Sequence, residues 1–303
     1  MAISIPYRRD IAFEYATAER VSPLIRRVVA RNPSAFTFHG TGTYIVGNGT
    51  VAIIDPGPHM PEHIDALLGA VAGETVTHLV VTHTHRDHSP AARALKQALD
   101  APIYGCGPHG TLASGAGVEE GADSEHRPDV EMRDGDAIRG QGWTLEAVAT
   151  PGHTSNHLCF ALPEEKALFS GDHVMGWSTT VVSPPDGDMH AYMTSLKKLL
   201  DREDAIYWPT HGPSIDDPKA LVCAYIAHRE ERERQILACL ADGPATIPEM
   251  VARMYADVDP RLHRAAGRSV LAHLEHMIAT GRVVRLDPAV DASEPTYGRA
   301  SGS

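Results

Sequence analysis

The sequence predicts an α+β chain in which two β-sheets lie between helical layers, followed by a smaller, mostly helical unit. Three observations carry this prediction. Apolar runs of strand length are mixed with helical stretches rather than strictly alternating with them, which favours two sheets over a single parallel one. Past Asp217 short apolar runs give way to long, charged helical periodicity. Polar residues that bind metals recur directly after apolar runs, so several strand ends should meet on one rim.

Taken in order, Tyr44-Ile45-Val46 and Val51-Ala52-Ile53-Ile54 read as strands joined through Gly47-Asn48-Gly49, a strong hairpin signal. A helix from about Pro61 to Val71 follows, then a strand from Thr77 to Val81, a polar loop, and a helix from about Pro90 to Leu99. Pro61 and Pro90 suit first helical turns, where the missing N–H has no partner to lose. Further strands are expected near Ile103, from Trp143 to Ala149, from Leu158 to Leu162 and from Ala167 to Phe169. A helix from about Met189 to Leu200 and a short strand from Ala205 to Trp208 complete the main body. Pro218 to Leu240 reads as one long helix. Its run Arg229-Glu230-Glu231-Arg232-Glu233-Arg234 sets Glu230 with Arg234 and Arg229 with Glu233 at four-residue spacing, and reads as a solvated face. After Gly243-Pro244, helices at about Ile247 to Tyr255 and Pro260 to Thr280 precede Arg282 to Leu286 and a second polar ribbon ending near Tyr297, the order of a winged helix. The expected division is a main domain over residues 1–217 and a linking helix with a winged-helix domain over 218–303.

Composition excludes several classes. With 303 residues and 43% apolar content the chain can bury a large core, yet no apolar run approaches the span of a bilayer. Met1 to Arg31 contains acids, arginines and Pro6 but no apolar stretch followed by a small-residue cleavage site, so secretion is not indicated. Cys106, Cys159, Cys223 and Cys239 lack paired spacing and read as reduced thiols, which suggests a cytoplasmic setting. The net charge of -12 opposes nonspecific binding to polyanions, although metal ions can supply positive charge locally. Much of the acidity sits in stretches such as Glu119 to Asp136, read as a solvated loop region. From Pro244 to Ser303 seven acidic residues balance seven arginines, so strong binding of duplex DNA by the winged helix is not expected. The oligomeric state leaves no readable signal.

The chemistry concentrates in Thr82-His83-Thr84-His85-Arg86-Asp87-His88. At strand spacing His83 and His85 point to one side, while Asp87 and His88 fall on the turn that follows and can reach a second ion. Similar polar residues follow other apolar runs: His153 in Ala149-Thr150-Pro151-Gly152-His153, Asp172 in Phe169-Ser170-Gly171-Asp172, and His211 in Trp208-Pro209-Thr210-His211. Imidazoles and carboxylates without thiolates suit zinc, and iron or manganese accept the same donors. Two Zn2+ ions are therefore expected. Two adjacent ions lower the pKa of a water toward about 7 and polarise the bond under attack, which makes hydrolysis the expected reaction.

In this order the motif, the lone histidine, the aspartate and the final histidine resemble the metallo-β-lactamase superfamily. The resemblance implies a four-layer αβ/βα metallo-β-lactamase sandwich with a C-terminal winged-helix domain. It implies that His83, His85 and His153 hold one ion, that Asp87, His88 and His211 hold the other, and that Asp172 bridges them. Asp87 then either orients a bridging hydroxide and relays its proton to the leaving group or serves only as a ligand. Asp55 in Ile54-Asp55-Pro56-Gly57 matches the family's first motif, where an aspartate supports the metal loop from outside the coordination sphere; the alternative is an ordinary turn residue. His157 and His173 read as satisfied structural histidines.

Members that hydrolyse β-lactams commonly carry cysteine where Asp172 stands. An RNA-processing branch inserts a long cap between the positions of Asp172 and His211, which are only 39 apart here. Two similar groups remain: glyoxalase II-type thioesterases and the lactamase-β-2-like group, which adds a C-terminal winged helix. The second resembles nearly the whole chain, through Thr82 to Pro90, Ser178 to Met189 and His228 to Val284. It includes an endoribonuclease for single-stranded RNA, so cleavage of phosphodiester bonds is implied, with a small-molecule ester or thioester as the alternative substrate. A different class, a metal-bearing interaction or redox protein holding iron, shares the ligands. Ser178 to Asp188 is expected to overhang the metals as a pocket wall or to act as a plain connector, and Lys197 and Lys198 could meet an anionic group.

Overall fold

Apolar side chains alternate along the strands and so feed two separate cores. Along Leu158–Leu162, for example, Leu158, Phe160 and Leu162 enter one core while Cys159 and Ala161 enter another. The computed structural model describes residues 4–108, 121–286 and 294–300. The first sheet comprises β1 (Glu19–Arg20), β2 (Ile25–Val29), β3 (Gly42–Asn48), β4 (Thr50–Ile54), β5 (Thr75–Val81), β6 (Ile103–Gly105) and β7 (Val130–Glu131), in sequence order. It is antiparallel up to β4 and parallel from there on. The second comprises β8 (Ala137–Gly140), β9 (Trp143–Ala149), β10 (Leu158–Leu162), β11 (Ala167–Gly171) and β12 (Ile206–Pro209), antiparallel except for the β11/β12 pair.

Helices cover both sheets. Helices α1 (Pro61–Ala70) and α2 (Ala91–Leu99) pack on the first, against β2 and β5. On the second lie α3 (Met189–Leu200) and α4 (Pro218–Cys239), which bury Tyr192, Leu196, Leu221 and Tyr225 against Val148, Cys159, Ala161 and Leu168. Past α4, a third core gathers Ile236, Met250, Val270, Leu274, Met277, Val283 and Tyr297 from the end of α4, α5 (Ile247–Met254), α6 (His263–Ala279), β13 (Val283–Leu286) and β14 (Thr296–Arg299). Thr246 starts α5 with a reciprocal cap to Glu249, and one 3-10 turn at Pro260–Leu262 precedes α6. The α+β class and the winged-helix order follow the sequence expectation. Among the described residues no helix is long and apolar enough to cross a membrane.

Strands β1, β2, β7 and β8 were not expected from the sequence. In β2 the pair Arg26-Arg27 interrupts the apolar pattern, yet Arg27 is buried because Glu19 on β1 neutralises it at 2.9 Å. The stretch from Glu119 to Asp136 is corrected in part. Its first two residues lie outside the described ones, but Asp123 and His126 are buried, and Asp123 accepts hydrogen bonds from Ser89 at 2.8 Å and Arg93 at 2.7 Å.

The charged run on α4 is also corrected, since Arg229 and Glu233 are each only 4% exposed. Helix α6 packs on this face and Arg282 follows it, so these two charges find partners across the interface, while Glu230 and Arg234 stay exposed and Arg234 pairs with Glu231 along the helix. Glu233 meets His276 at 2.7 Å, His273 at 3.5 Å and Arg282 at 2.6 Å, and Arg229 donates to the Thr180 carbonyl. Burial alone would raise the Glu233 pKa, but these three donors more than offset it and hold the carboxyl well below the usual carboxylate range. A depressed carboxyl contributes stability above its ordinary value of 4.5 and loses that contribution as the pH falls below it. Replacing Glu233 by Gln is therefore expected to lower stability by about 3 kcal/mol at neutral pH. Thermal unfolding of both proteins should show that gap narrowing from pH 4.5 downward; a gap of constant size down to pH 3 would refute it.

Candidate metal centre

Five strands deliver the site. Asp55 directly follows β4, His83 to His88 follow β5, His153 follows β9, Asp172 follows β11 and His211 follows β12, all at C-terminal strand ends. All eight residues picked from the sequence are buried, and they come together. His83, His85 and His153 form one group with ligand atoms within 4.8 Å of one another, and Asp87, His88 and His211 form a second by the same measure. Asp172 lies between them. Its Oδ2 is 3.8 Å from His153 Nε2 and 3.5 Å from His88 Nε2, while its Oδ1 is 3.5 Å from His211 Nε2.

The donors fit a metal pair on three counts. His85 Nδ1 lies 3.0 Å from His83 Nε2 and 3.1 Å from His153 Nε2. Nitrogens bound tetrahedrally to zinc at about 2.05 Å stand ~3.3 Å apart, close to this spacing. Next, the opposite ring nitrogens are fixed by acceptors: His153 Nδ1 donates to the Val181 carbonyl at 2.7 Å, His88 Nδ1 to Asp55 at 2.8 Å, and His211 Nδ1 to the Gly40 carbonyl at 3.1 Å. Each Nε2 is thereby the nitrogen aimed into the site, the arrangement that metal-binding imidazoles adopt. Finally, His88 Nε2, His211 Nε2 and Asp172 Oδ1 are buried without a hydrogen-bond partner among the described residues, so a cation would satisfy three otherwise orphaned groups.

Charge divides the two groups. Burial, reinforced by the neighbouring imidazoles, pushes the His83 pKa well below 6.5 and keeps that ring neutral. Burial also lowers the pKa of His88 and His211, but the carboxylates win: Asp87, Asp172 and Asp55 raise His88 well above 6.5, and Asp172 with Asp87 push His211 up to about 10. Burial would raise Asp87 and Asp172, yet His88 and His211 hold both well below the usual carboxylate range. Metal-free protein thus stores protons in the second group that an incoming cation must displace.

Sequence reasoning missed the frame around these donors. Asp55 accepts from Thr82 N and Thr82 Oγ1, both at 2.9 Å, and from Thr210 Oγ1 at 2.8 Å, so Thr82 and Thr210 anchor the histidines after them, His83 and His211. Thr-His also stands at 77–78 and 84–85, where the threonine does not bond Asp55, so the dipeptide alone did not single out these two anchors. His157 is satisfied as expected, by Thr150 at 2.9 Å and the Asp172 N–H at 3.2 Å. His173 is not: both ring nitrogens lack a partner among the described residues, burial lowers its pKa to about 3, and the neutral ring packs on Tyr192 at 4.7 Å. Above the donors opens a narrow recess of about 40 Å³, walled by Phe36, Met175, Trp177, Ser178, Thr179 and Val181. Of the stretch expected as a wall, Ser178 to Asp188, only Ser178, Thr179 and Val181 line the recess, and Met175 and Trp177 before it join them. Neither Lys197 nor Lys198 lines this recess, and Lys198 pairs with Asp134.

The profile of the Metallo-beta-lactamase superfamily matches residues 37–211, which include all eight of these positions. This chain belongs to that superfamily. A second profile, the Beta-lactamase associated winged helix domain, matches residues 246–289. Superfamily relatives resemble the chain along most of its length. The Beta-lactamase-like protein 2 homolog of Caenorhabditis elegans is 35% identical, with 88% of each chain covered. An Atrochrysone carboxyl ACP thioesterase of Aspergillus chevalieri is 32% identical, covering 82% of this chain and 78% of the relative. Among solved structures, a Beta-lactamase domain protein from Burkholderia ambifaria superimposes with a TM-score of 0.82 at 21% identity, covering 98% of this chain and 97% of its own.

Proposed function

We propose that this chain is a dinuclear metal-dependent hydrolase of acyl thioesters, with its hydrolase domain over residues 1–217 and its linking helix and winged helix over 218–303. The observation that carries the reading is the pair of donor groups joined by Asp172 at the floor of an apolar recess. His83, His85 and His153 would hold one ion, Asp87, His88 and His211 the other, with Asp172 shared; we assign zinc to both positions from the nitrogen and oxygen donors. When bound, the ions supply an acidified water and polarise the carbonyl under attack. Asp87, held beside His211 at 3.1 Å, would orient the attacking water, accept its proton and return it to the departing sulfur. Asp55 keeps His88 aimed from behind.

Phe36, Met175, Trp177 and Val181 suit an acyl chain, and no Lys or Arg stands among the described lining residues. Single-stranded RNA calls for a cationic groove, which is why the thioester reading is preferred to phosphodiester cleavage. A relative named as an acyl-carrier-protein thioesterase supports it. Four free thiols, three of them buried, suit the cytoplasm. The test offers purified, metal-loaded protein a glutathione thioester, a carrier-protein thioester, single-stranded RNA and a cephalosporin. Thioester turnover that a chelator abolishes, with close to two metal ions per chain, is the expected result. RNA cleavage without thioester turnover, or protein purified without chelator that holds no metal, would overturn the proposal.

A further inference from the structure

The recess wall is held from two sides. On its inner side the Val181 carbonyl accepts a hydrogen bond from His153 Nδ1 at 2.7 Å, and Asp186 accepts from Ser155 N at 3.1 Å and Ser155 Oγ at 2.7 Å. The residues that shape the recess therefore also set the tilt of a candidate ligand. On its outer side the same segment, 175–188, meets donors from the C-terminal part of the chain. Tyr225 on α4 presents its hydroxyl to the Met175 and Ser178 carbonyls, and Arg229 one turn further donates to the Thr180 carbonyl. From α6, Arg268 donates through Nε to Ser183 Oγ and through Nη2 to the Pro184 carbonyl, both at 2.6 Å. The N-terminal segment adds the Arg8 N–H to the Gly176 carbonyl at 2.9 Å.

Irregular backbone holds one shape only where its carbonyls find fixed donors. Here much of that supply comes from helices outside the main sheets, and the guanidinium of Arg268 fixes two acceptors with one rigid fork. We propose that the linking helix and the winged-helix module together are a positioning device for the substrate recess: Tyr225 and Arg229 from α4, with Arg268 from α6, set the place of segment 175–188 and, through the Val181 carbonyl, the orientation of His153. Arg268 is a positioning residue, since it touches Ser183 and Pro184, just past the last wall residue Val181, and not the donors themselves. The kinetic part of this inference rests on the thioesterase reading; the geometric part does not.

Arg268 is only partly buried, so its replacement is compatible with folding, whereas Tyr225 and Arg229 are buried and less suited to a test. In the full chain, Arg268→Met and Arg268→Lys are compared with the parent by amide hydrogen exchange, metal content and thioester kinetics. In Arg268→Met, exchange in peptides from 175–188 is expected to quicken about tenfold, the effect of losing a charge-assisted bond, while β9 and β10 stay unchanged. KM should rise about tenfold with kcat within about threefold, metal content should stay near that of the parent, and Lys should restore part of both effects because it keeps one donor. Unchanged exchange in 175–188, or faster exchange spread evenly over the second sheet, would overturn the proposal. If the parent hydrolyses no thioester, the functional reading fails, and exchange in 175–188 still decides the positioning role.

Discussion

Replacing His88 by Ala, or Asp87 by Ala, is expected to lower kcat/KM on the accepted substrate by at least about a thousandfold, because each change dismantles the second donor group and the chemistry assigned to it. His88 is the more informative of the two. Its Nε2 points into the site while its Nδ1 is tied to Asp55, so truncation should cost one of two ions, read by elemental analysis, with the circular dichroism spectrum unchanged. Asp87→Asn separates the roles open to Asp87. An amide keeps the shape and an oxygen donor but cannot take a proton, so full metal content with lost activity supports proton transfer, and loss of an ion supports a ligand role alone. Full activity in either alanine variant would remove the site from the reaction.

What the sequence made legible, and what it hid, follows from the range of the interactions involved. His83, His85, Asp87 and His88 share one turn, and their spacing alone predicts convergence. His153, Asp172 and His211 could be placed because each directly follows an apolar strand, and strand ends of one sheet share a rim. The acceptors that orient these rings were hidden: Gly40 and Val181 act through backbone carbonyls, which any residue could supply. Charge on α4 misled for a related reason. The run from Arg229 to Arg234 reads as solvated until α6 is packed on it, and only then do Glu233 and Arg229 become interior residues with partners far along the chain. His173 escaped from the opposite side, as a polar ring used for its apolar faces.

Asp55 offers the sharpest test of how fold and site depend on each other. It is fully buried with φ of 47°, in the left-handed region where Asp and Asn are the tolerated non-glycine residues. Its carboxylate joins both sheets, since Thr82 and His88 follow β5 of the first and Thr210 follows β12 of the second. Ala at this position would leave an N–H, two hydroxyls and an imidazole N–H buried without their shared acceptor. At about 1–3 kcal/mol for each orphaned donor, partly relieved where the threonines find other partners, the loss should reach roughly 4–6 kcal/mol and bring the protein close to unfolding. Asp55→Asn keeps the backbone preference and one acceptor oxygen, so it should cost only about 2 kcal/mol, yet its NH2 group opposes a donor and turns His88 away from the site. Denaturant unfolding of both variants, with metal analysis of the Asn form, distinguishes anchor from turn residue. An ordinary turn residue would tolerate Ala with a loss below about 1 kcal/mol and keep both ions, whereas an anchor loses the fold with Ala and the second ion with Asn.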